Sequence, residues 1–286
     1  MSDDFLRQMA ESSRERVLAA LAERPSQELL AAARATPVPP PLKLNAGGFD
    51  LIAEVKLRSP AVGMLKPGDE DVSARVGGYA SAGAAAISVL TEPSRFDGSM
   101  DHLQSAVHAL RPHGVPAMRK DFLVDPYQVI EARAAGAGGV LVILRMLPRA
   151  SLEALIEQAL GLSLFVLLEA FDERDIDLAS SLALRYGGRA PNPERVELLV
   201  GVNCRDLVTL KVVPGRLEAL ADRLPTHVRR VAESGVGTPE DAQRMAAAGY
   251  DLALVGSALM TAGDPHQLVR GMLAAGRSAR VRPVCG

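Results

Sequence analysis

The chain has 286 residues, of which 48% are hydrophobic, so the composition allows one large α/β barrel or two smaller domains. The formal net charge of −2 excludes the strongly basic face that non-specific nucleic-acid binding requires. Two cysteines, Cys204 and Cys285, are too few for a disulfide framework or a cysteine metal cluster.

The first segment of the chain, residues 3–35, has apolar residues at helical spacing between charges and is predicted to be helical. Its charged start is not typical of a signal peptide, and no apolar run of the chain is long enough to cross a bilayer. We therefore expect a cytoplasmic protein with no membrane partner. Pro25 should divide the segment, with Ser26 capping the second helix. Residues 1–45 are predicted to be a helical extension packed on a catalytic domain of residues 46–286.

From residue 49 onward, a short apolar strand and an amphipathic helix alternate eight times. The predicted strands are 51–56, 86–90, 116–119, 139–144, 164–168, 198–202, 229–232 and 252–255. This alternation favours a parallel sheet, and eight units in this length favour a closed (β/α)8 TIM barrel. An open doubly wound sheet is the alternative. It usually carries a glycine-rich dinucleotide turn after its first strand, where this chain reads EVKLRSP.

Polar residues follow the predicted strands at the end where barrel enzymes carry their chemistry. They are Glu54, Lys56, Ser59, Glu92, Phe96, Arg119, Lys120, Asp121, Glu169, Asn203, Arg205, Glu233, Ser234, Gly235, Gly256 and Ser257, with the aromatic Phe96 and two glycines among them. Scattered surface charge would rarely gather at one end of most strands. Buried salt bridges that only support the core are the alternative to an active site.

Two residues in this set are predicted to perform acid–base chemistry. Lys120 lies near other cations, Arg119 and Lys56, which would lower its proton affinity and suit it to act as a general acid. Glu169, on a different strand, could serve as the base. Glu54 and Lys56 are two residues apart, so both side chains should point to one side of their strand.

The turns after strands seven and eight are predicted to hold an anion. Ser234, Gly235, Gly256 and Ser257 are small, which lets backbone N–H groups approach a phosphate, and barrels often bind phosphate there. Lys56 could add a charge. Tight turns alone are the alternative reading of these glycines.

No metal site is predicted. The five histidines lie on predicted helices or bottom-face loops, and none has the spacing of a metal-binding pair. Cys204 should face the surrounding helices, because its neighbour Asn203 points inward. The polar segment 186–197 is predicted to be a surface loop on the bottom face.

Motifs in chain order resemble those of the indole-3-glycerol phosphate synthase family. They are IAEVKxxSP, SVLTEPxxFxGS, RKDFxxDPYQxxEARAAGA, the strand-five glutamate, GVNxRDL, ESGxxTPED and LVGSALM. The resemblance implies a carbon–carbon lyase of tryptophan biosynthesis. Such an enzyme converts 1-(2-carboxyphenylamino)-1-deoxyribulose 5-phosphate to indole-3-glycerol phosphate by ring closure, decarboxylation and dehydration. It implies no cofactor or metal, and a monomer or weak homodimer.

The resemblance also implies roles for individual residues. The implied catalytic residues are Lys120 as general acid, Glu169 as general base, Glu54 and Asn203 as orienting groups, Lys56 as a second acid and substrate ligand, and Glu233 as a further carboxylate. The implied substrate-binding residues are Ser59, Phe96 and Arg205 around the anthranilate part. The implied phosphate ligands are Lys56, Ser234, Gly235, Gly256 and Ser257.

The chain departs from the family pattern in places that carry no proposed chemical role. Ala61 and Val62 stand where a serine and a lysine are more usual, Ala170 and Phe171 replace a Val-His pair, and Cys204 replaces a second asparagine. Two other functions stay open at this point. One is another phosphate-sugar barrel enzyme, such as phosphoribosylanthranilate isomerase, and the other is a silent barrel that only binds a phosphorylated ligand.

Overall fold

A computed structural model describes residues 2–45, 48–66, 70–187 and 196–280 of the chain. Most of the predicted bottom-face loop, residues 188–195, lies outside the described residues, as does Cys285.

Eight parallel strands close into a barrel. They are β1 Asp50–Val55, β2 Ala86–Leu90, β3 Ala117–Lys120, β4 Gly139–Ile143, β5 Phe165–Ala170, β6 Leu198–Asn203, β7 Arg229–Glu233 and β8 Leu252–Val255. The strands pair in sequence order, and β1 pairs with both β2 and β8, so the described barrel has no open edge. The predicted (β/α)8 barrel is confirmed, and each predicted strand overlaps an observed one.

Helices surround the barrel. They are α1 Ser2–Glu23, α2 Ser26–Ala35, α3 Val72–Ser81, α4 Met100–Leu110, α5 Pro126–Ala134, α6 Arg149–Gly161, α7 Glu173–Tyr186, α8 Arg216–Ala221, α9 Pro239–Ala247 and α10 Pro265–Arg280. Ser99 and Thr238 accept backbone N–H groups as N-caps. The predicted cap at Ser26 is wrong, because Pro25 occupies the cap position and no side chain caps the helix.

Short elements at the C-terminal mouth of the barrel have no counterpart among the predicted ones. An antiparallel hairpin joins Arg58–Ser59 to Gly63–Met64 in the connection between β1 and α3. Four-residue and five-residue helices, Pro93–Phe96 and Ser257–Thr261, follow β2 and β8. Runs this short carry too little periodicity to be read from sequence.

The core has two layers. Strand residues that point outward, such as Val200 and Val202, pack against the helices, as does Cys204 directly after β6, while Leu141 and Leu167 fill the interior of the barrel. This alternation follows from the two-residue period of a strand. The prediction that Cys204 faces the helices is confirmed.

The N-terminal helix docks on Asp121, directly after β3, and on α5. Arg16 donates to both carboxylate oxygens of Asp121 at 2.9 and 2.8 Å, and Gln128 donates to Ser13 at 2.8 Å. These contacts tie α1 to the mouth of the barrel. The division of the chain into an extension and a catalytic domain at residue 45 stays a prediction.

Among the described residues, we find no helix with both the length and the apolar character that crossing a bilayer requires.

Candidate active site

A cleft of about 1050 Å³, its open entrance included, lies at the C-terminal ends of the strands. The structure brings every residue with a predicted catalytic, substrate-binding or phosphate-binding role into its wall: Glu54, Lys56, Ser59, Phe96, Lys120, Glu169, Asn203, Arg205, Glu233, Ser234, Gly235, Gly256 and Ser257. The wall also contains residues that received no role from the sequence, among them Phe5, Leu6, Phe122, Ile143, Phe171, Leu207 and Leu210.

Lys120 stands at the centre of the cleft between two acids from other strands. Its Nζ lies 3.3 Å from Glu169 Oε2 and 3.6 Å from Glu233 Oε2. Asn203 donates to the other oxygen of Glu169, and its own Oδ1 accepts the backbone N–H of Arg205 at 2.9 Å. The ends of β3, β5, β6 and β7 therefore contribute one connected polar cluster.

The pKa of Lys120 is raised, which is opposite to the lowering that the sequence predicts. Burial alone would lower it, but the charges of Glu169, Glu233 and Glu54 outweigh that effect. Arg119 does not act on it as expected, because the guanidinium points outward and donates to the backbone oxygen of Gln128 at 2.8 Å. Lys120 therefore carries its proton in the free protein, which is the form that a general acid needs.

Glu54 and Lys56 share one face of the chain at the end of β1, as their spacing predicts. Lys56 Nζ lies 2.6 Å from Glu54 Oε1. Burial would raise the pKa of Glu54, but the charges of Lys56 and Lys120 hold it below its usual range. Gly256 of the neighbouring β8 end lies against this pair, because a Cβ there would overlap Glu54 Oε1 and stand 2.9 Å from Lys56 Nζ.

Glu233 is the least satisfied acid in the cleft. Its side chain is 1% exposed, and neither carboxylate oxygen has a hydrogen-bond partner among the residues that the structure describes. Burial and the charge of Glu169 raise the pKa of Glu233 to about 8. Glu233 is therefore expected to be protonated near neutral pH, while the pKa of Glu54 moves the opposite way. Neighbouring carboxyls with separated pKa values are typical of acid–base sites.

The turns after β7 and β8 form another part of the wall. Ser234 and Gly235 have φ values of 65° and 73°, in the left-handed region. Ser257 Oγ is buried and has no hydrogen-bond partner in the structure. A buried hydroxyl without a partner is costly, and an oxygen-rich ligand could satisfy it.

Aromatic rings form a further part of the wall. The ring centroids of Phe5 and Phe122 are 5.9 Å apart, edge to face, and those of Phe96 and Phe122 are 6.1 Å apart. Phe122 follows Lys120 and Asp121 directly in the RKDF motif, which is the signal that could have found it. Nothing in the sequence around Phe5 places it at the mouth, because its position depends on how α1 packs.

Ser59 and Arg205 lie in the wall on loop segments. Ser59 Oγ accepts the backbone N–H of Ala61 at 3.4 Å within the mouth hairpin. Arg205 donates to the backbone oxygen of Leu210 at 2.7 Å, so it braces the loop after β6. Each of these two hydrogen bonds joins residues that are close together in the sequence.

Among the described residues that line the cleft, none is a histidine. In the part of the chain that the structure describes, no group of three His, Cys, Asp or Glu residues is arranged to hold a metal ion.

Comparison with known proteins assigns the family. The sequence model of the family described as indole-3-glycerol phosphate synthase matches residues 6–272. The indole-3-glycerol phosphate synthase of Parafrankia sp. is 42% identical over 84% of this chain and 83% of its own length. The enzyme of that name from Mycobacterium leprae is 39% identical over 87% of this chain and 86% of its own length.

Solved structures with little sequence similarity share the fold. The 3-hexulose-6-phosphate synthase of Salmonella typhimurium has a TM-score of 0.60 at 15% identity, covering 80% of this chain and 99% of its own. The orotidine 5'-phosphate decarboxylase of Pyrococcus horikoshii has a TM-score of 0.55 at 15% identity, covering 82% of this chain and 100% of its own. These likenesses concern the barrel alone, whereas the family match rests on sequence along most of the chain. This chain belongs to the indole-3-glycerol phosphate synthase family.

Proposed function

We propose that this chain is a carboxy-lyase of tryptophan biosynthesis. It closes the ring of 1-(2-carboxyphenylamino)-1-deoxyribulose 5-phosphate with loss of carbon dioxide and water, and releases indole-3-glycerol phosphate. The observation that carries the proposal beyond family membership is the position of Lys120 between Glu169 and Glu233, in a cleft walled by aromatic rings and by small-residue turns.

Lys120 is the general acid in this proposal. It gives its proton to the ribulose carbonyl oxygen while the aromatic ring carbon that bears the carboxylate attacks the carbonyl carbon. The new carbon–carbon bond interrupts the aromatic ring. Loss of carbon dioxide returns the bonding electrons to the ring and restores it. The raised pKa of Lys120 means that its amino group is protonated before this step.

Glu169 is the general base for dehydration. It removes a proton from the ring carbon next to nitrogen while Lys56, the second acid, protonates the hydroxyl group on the adjacent carbon, so that this group leaves as water and the double bond of the five-membered ring forms. The hydrogen bond from Asn203 and the ion pair with Lys120 hold the Glu169 carboxylate in place. Glu54 holds Lys56, which binds the substrate and assists as a second acid. Glu233 is a further acid next to Lys120.

The two ends of the substrate need different surroundings. Phe96 and its neighbouring rings suit the flat anthranilate part, with Ser59 and Arg205 at the rim. Ser234, Gly235, Gly256 and Ser257 suit the phosphate, with Lys56 adding a positive charge. The unpartnered Ser257 Oγ supports this orientation.

The proposal also covers the binding partners, the location and the oligomeric state of the protein. The substrate is a phosphorylated small molecule, and no cofactor, nucleic acid or membrane takes part. The formal net charge of −2 supports the absence of a nucleic-acid partner. We propose a cytoplasmic monomer or weak homodimer.

The first experiment measures turnover of the carboxyphenylamino-deoxyribulose phosphate by purified protein with a chelator present, following the growth of indole fluorescence. Turnover that survives the chelator supports the proposal. A folded protein without turnover contradicts it, and binding of the same compound without reaction would indicate a silent barrel. Assay of phosphoribosylanthranilate as a second substrate tests the isomerase alternative.

Variants then test the two principal roles. Lys120→Ala and Glu169→Gln should each lower turnover by about two to four orders of magnitude, the usual size for one acid–base group. The matched control is Lys43→Ala, because Lys43 is exposed and does not line the cleft. Near-normal turnover in either cleft variant, with the control unchanged, means that the assigned role is wrong.

A further inference from the structure

The turn that follows β7 has an unfavourable backbone. Ser234 has a φ of 65°, although it is not a glycine, and Gly235 follows with a φ of 73°. Non-glycine residues rarely adopt the left-handed region, and they persist there only when surrounding contacts hold them. The contacts that hold Ser234 therefore decide the shape of this part of the cleft wall.

Cys204, which directly follows the neighbouring strand β6, makes several contacts with this turn. Its thiol donates to the backbone oxygen of Ser234 at 3.3 Å, and its N–H donates to the backbone oxygen of Glu233 at 3.0 Å. The sulfur also packs against Gly235, where a Cβ would lie 3.0 Å from Sγ. Cys204 thus contacts three consecutive residues, Glu233 to Gly235.

The thiol is suited to donate a hydrogen bond. Cys204 is 2% exposed, and burial raises the pKa of its thiol, so the proton stays on sulfur near neutral pH. The backbone of Cys204 is itself fixed, because its oxygen accepts the N–H of Val213 at 2.9 Å. The side chain therefore presents its sulfur to the turn from a rigid position.

The same turn carries groups that face a ligand. Ser234 and Gly235 line the cleft, and Glu233 places an almost fully buried carboxyl group without hydrogen-bond partners against it. Loss of the thiol would therefore move Ser234 and Gly235, while Glu233 stays held by the backbone N–H of Cys204, which a side-chain substitution leaves in place. Displacements of about 1 Å are enough to alter binding or catalysis.

We propose that Cys204 is a positioning residue for the reaction, which holds the Ser234–Gly235 turn in the shape that receives the phosphate of the substrate. Cys204 does not touch the reacting atoms. It acts through the backbone oxygen of Ser234 and through contact with Gly235. This inference rests on the proposed function, because that proposal places the phosphate at this turn.

The test compares Cys204→Ala with Cys204→Ser. Alanine removes the donor and the sulfur, so KM for the carboxyphenylamino-deoxyribulose phosphate should rise about three- to tenfold, the effect of losing one modest hydrogen bond. The turnover number kcat should stay within about twofold. Serine keeps a donor, so Cys204→Ser should return KM to within about twofold of wild type.

The matched control is Val202→Ala, because Val202 lies in β6 two residues before Cys204, is fully buried and belongs to the same apolar cluster. It should lower the thermal unfolding midpoint and leave KM unchanged. The proposal is overturned if Cys204→Ala keeps the wild-type KM, if Cys204→Ser behaves like alanine, or if KM rises equally in Val202→Ala.

A second readout separates this inference from the proposed function. Calorimetric titration with inorganic phosphate measures how tightly the Ser234–Gly235 turn binds phosphate, whether or not the protein converts the substrate. Weaker phosphate binding in Cys204→Ala than in Val202→Ala supports the inference even if the wild-type protein turns over no substrate. Equal phosphate binding in wild type and Cys204→Ala overturns it, even if the lyase activity is present.

Discussion

Five charged groups meet at the centre of the cleft, and their protonation states depend on one another. Three carboxyl groups, Glu54, Glu169 and Glu233, stand near the ammonium groups of Lys56 and Lys120. If all five were ionised, the buried cluster would carry one net negative charge. A proton on Glu233 removes that charge, which agrees with the raised pKa of this acid, about 8.

The pH dependence of stability should show this proton. The folded-state pKa of Glu233, about 8, lies above its ordinary value of 4.5. Between these values the native state holds a proton that the unfolded state has released. The free energy of unfolding should therefore fall as pH rises, by about 1.4 kcal/mol per pH unit for this one group.

Glu233→Gln replaces the titratable carboxyl group with a neutral amide and so isolates the effect of its ionisation. Urea denaturation of wild type and variant, between about pH 5 and about pH 8, should show the difference in free energy of unfolding shifting steadily in favour of the variant. Parallel stability curves for the two proteins across this range would show that the pKa of Glu233 is not raised.

Single residues also show what the sequence could and could not predict. The spacing of Glu54 and Lys56 was enough to place them on one face, because a strand has a two-residue period. The same period implies that Lys120 and Arg119 point to opposite sides, so Arg119 was a poor candidate for lowering the pKa of Lys120. The acids that raise that pKa come from distant strands, and only the closed barrel brings them together.

At the scale of elements, α1 is an integral part of the mouth. Arg16 and Ser13 dock this helix on β3 and α5, and Phe5 at its start reaches the cleft wall. Asp121, which receives Arg16, lies between the proposed general acid Lys120 and the wall residue Phe122. The periodicity of residues 3–35 predicted a helix, but a helical pattern does not say where that helix docks.

Loss of the Arg16 contact should weaken the whole fold moderately. Arg16→Met leaves the buried Asp121 with Thr91, Arg119 and the backbone N–H of Phe122 as partners, so the free energy of unfolding should fall by about 1–3 kcal/mol. Arg14→Met on the same helix is the control, because Arg14 is exposed, and it should change stability by less than about 0.5 kcal/mol. Equal urea midpoints for the two variants would mean that the Arg16–Asp121 pair contributes nothing.

Arg16 also affects how the free energy of unfolding changes as pH falls into the acid range. The Arg16 and Arg119 guanidinium groups overcome burial and hold the pKa of Asp121 well below its usual range. A lowered folded-state pKa stabilises the protein above the ordinary pKa of the group, and that stability is lost as pH falls. The difference between wild type and Arg16→Met should therefore shrink in acid.

For the whole molecule, the apolar residues that stabilise the barrel and the charged residues proposed to catalyse the reaction occupy different levels along the barrel axis. Apolar side chains, Phe165 and Leu167 among them, fill its interior, and Leu42 and Val196 cover the N-terminal end of the strands with a backbone hydrogen bond at 3.3 Å. The charged cluster occupies the C-terminal end. This division follows from the barrel topology, so the sequence could predict it once the eight units were recognised.

Two strand glycines give a direct test of that division. Gly139 begins β4 in the lower part of the barrel, where a Cβ would overlap the ring of Phe165, and Gly201 lies in β6, where a Cβ would overlap Glu233 Oε1. Gly139→Ala should therefore overpack the core and lower the free energy of unfolding by about 1–3 kcal/mol, with kcat nearly unchanged. Gly201→Ala should displace a carboxyl group at the end of a flexible side chain, which is cheap for the fold.

The expected result for Gly201→Ala is a loss of activity of about tenfold or more with a smaller loss of stability, because the displaced Glu233 borders Lys120 at 3.6 Å. Urea unfolding and steady-state kinetics on both variants measure the two effects side by side. If both substitutions lower stability and activity in the same proportion, the two ends of this barrel are not independent. If Gly139→Ala lowers mainly stability and Gly201→Ala lowers mainly activity, the packing near the N-terminal end of the strands can change while the charged cluster at the C-terminal end keeps its geometry.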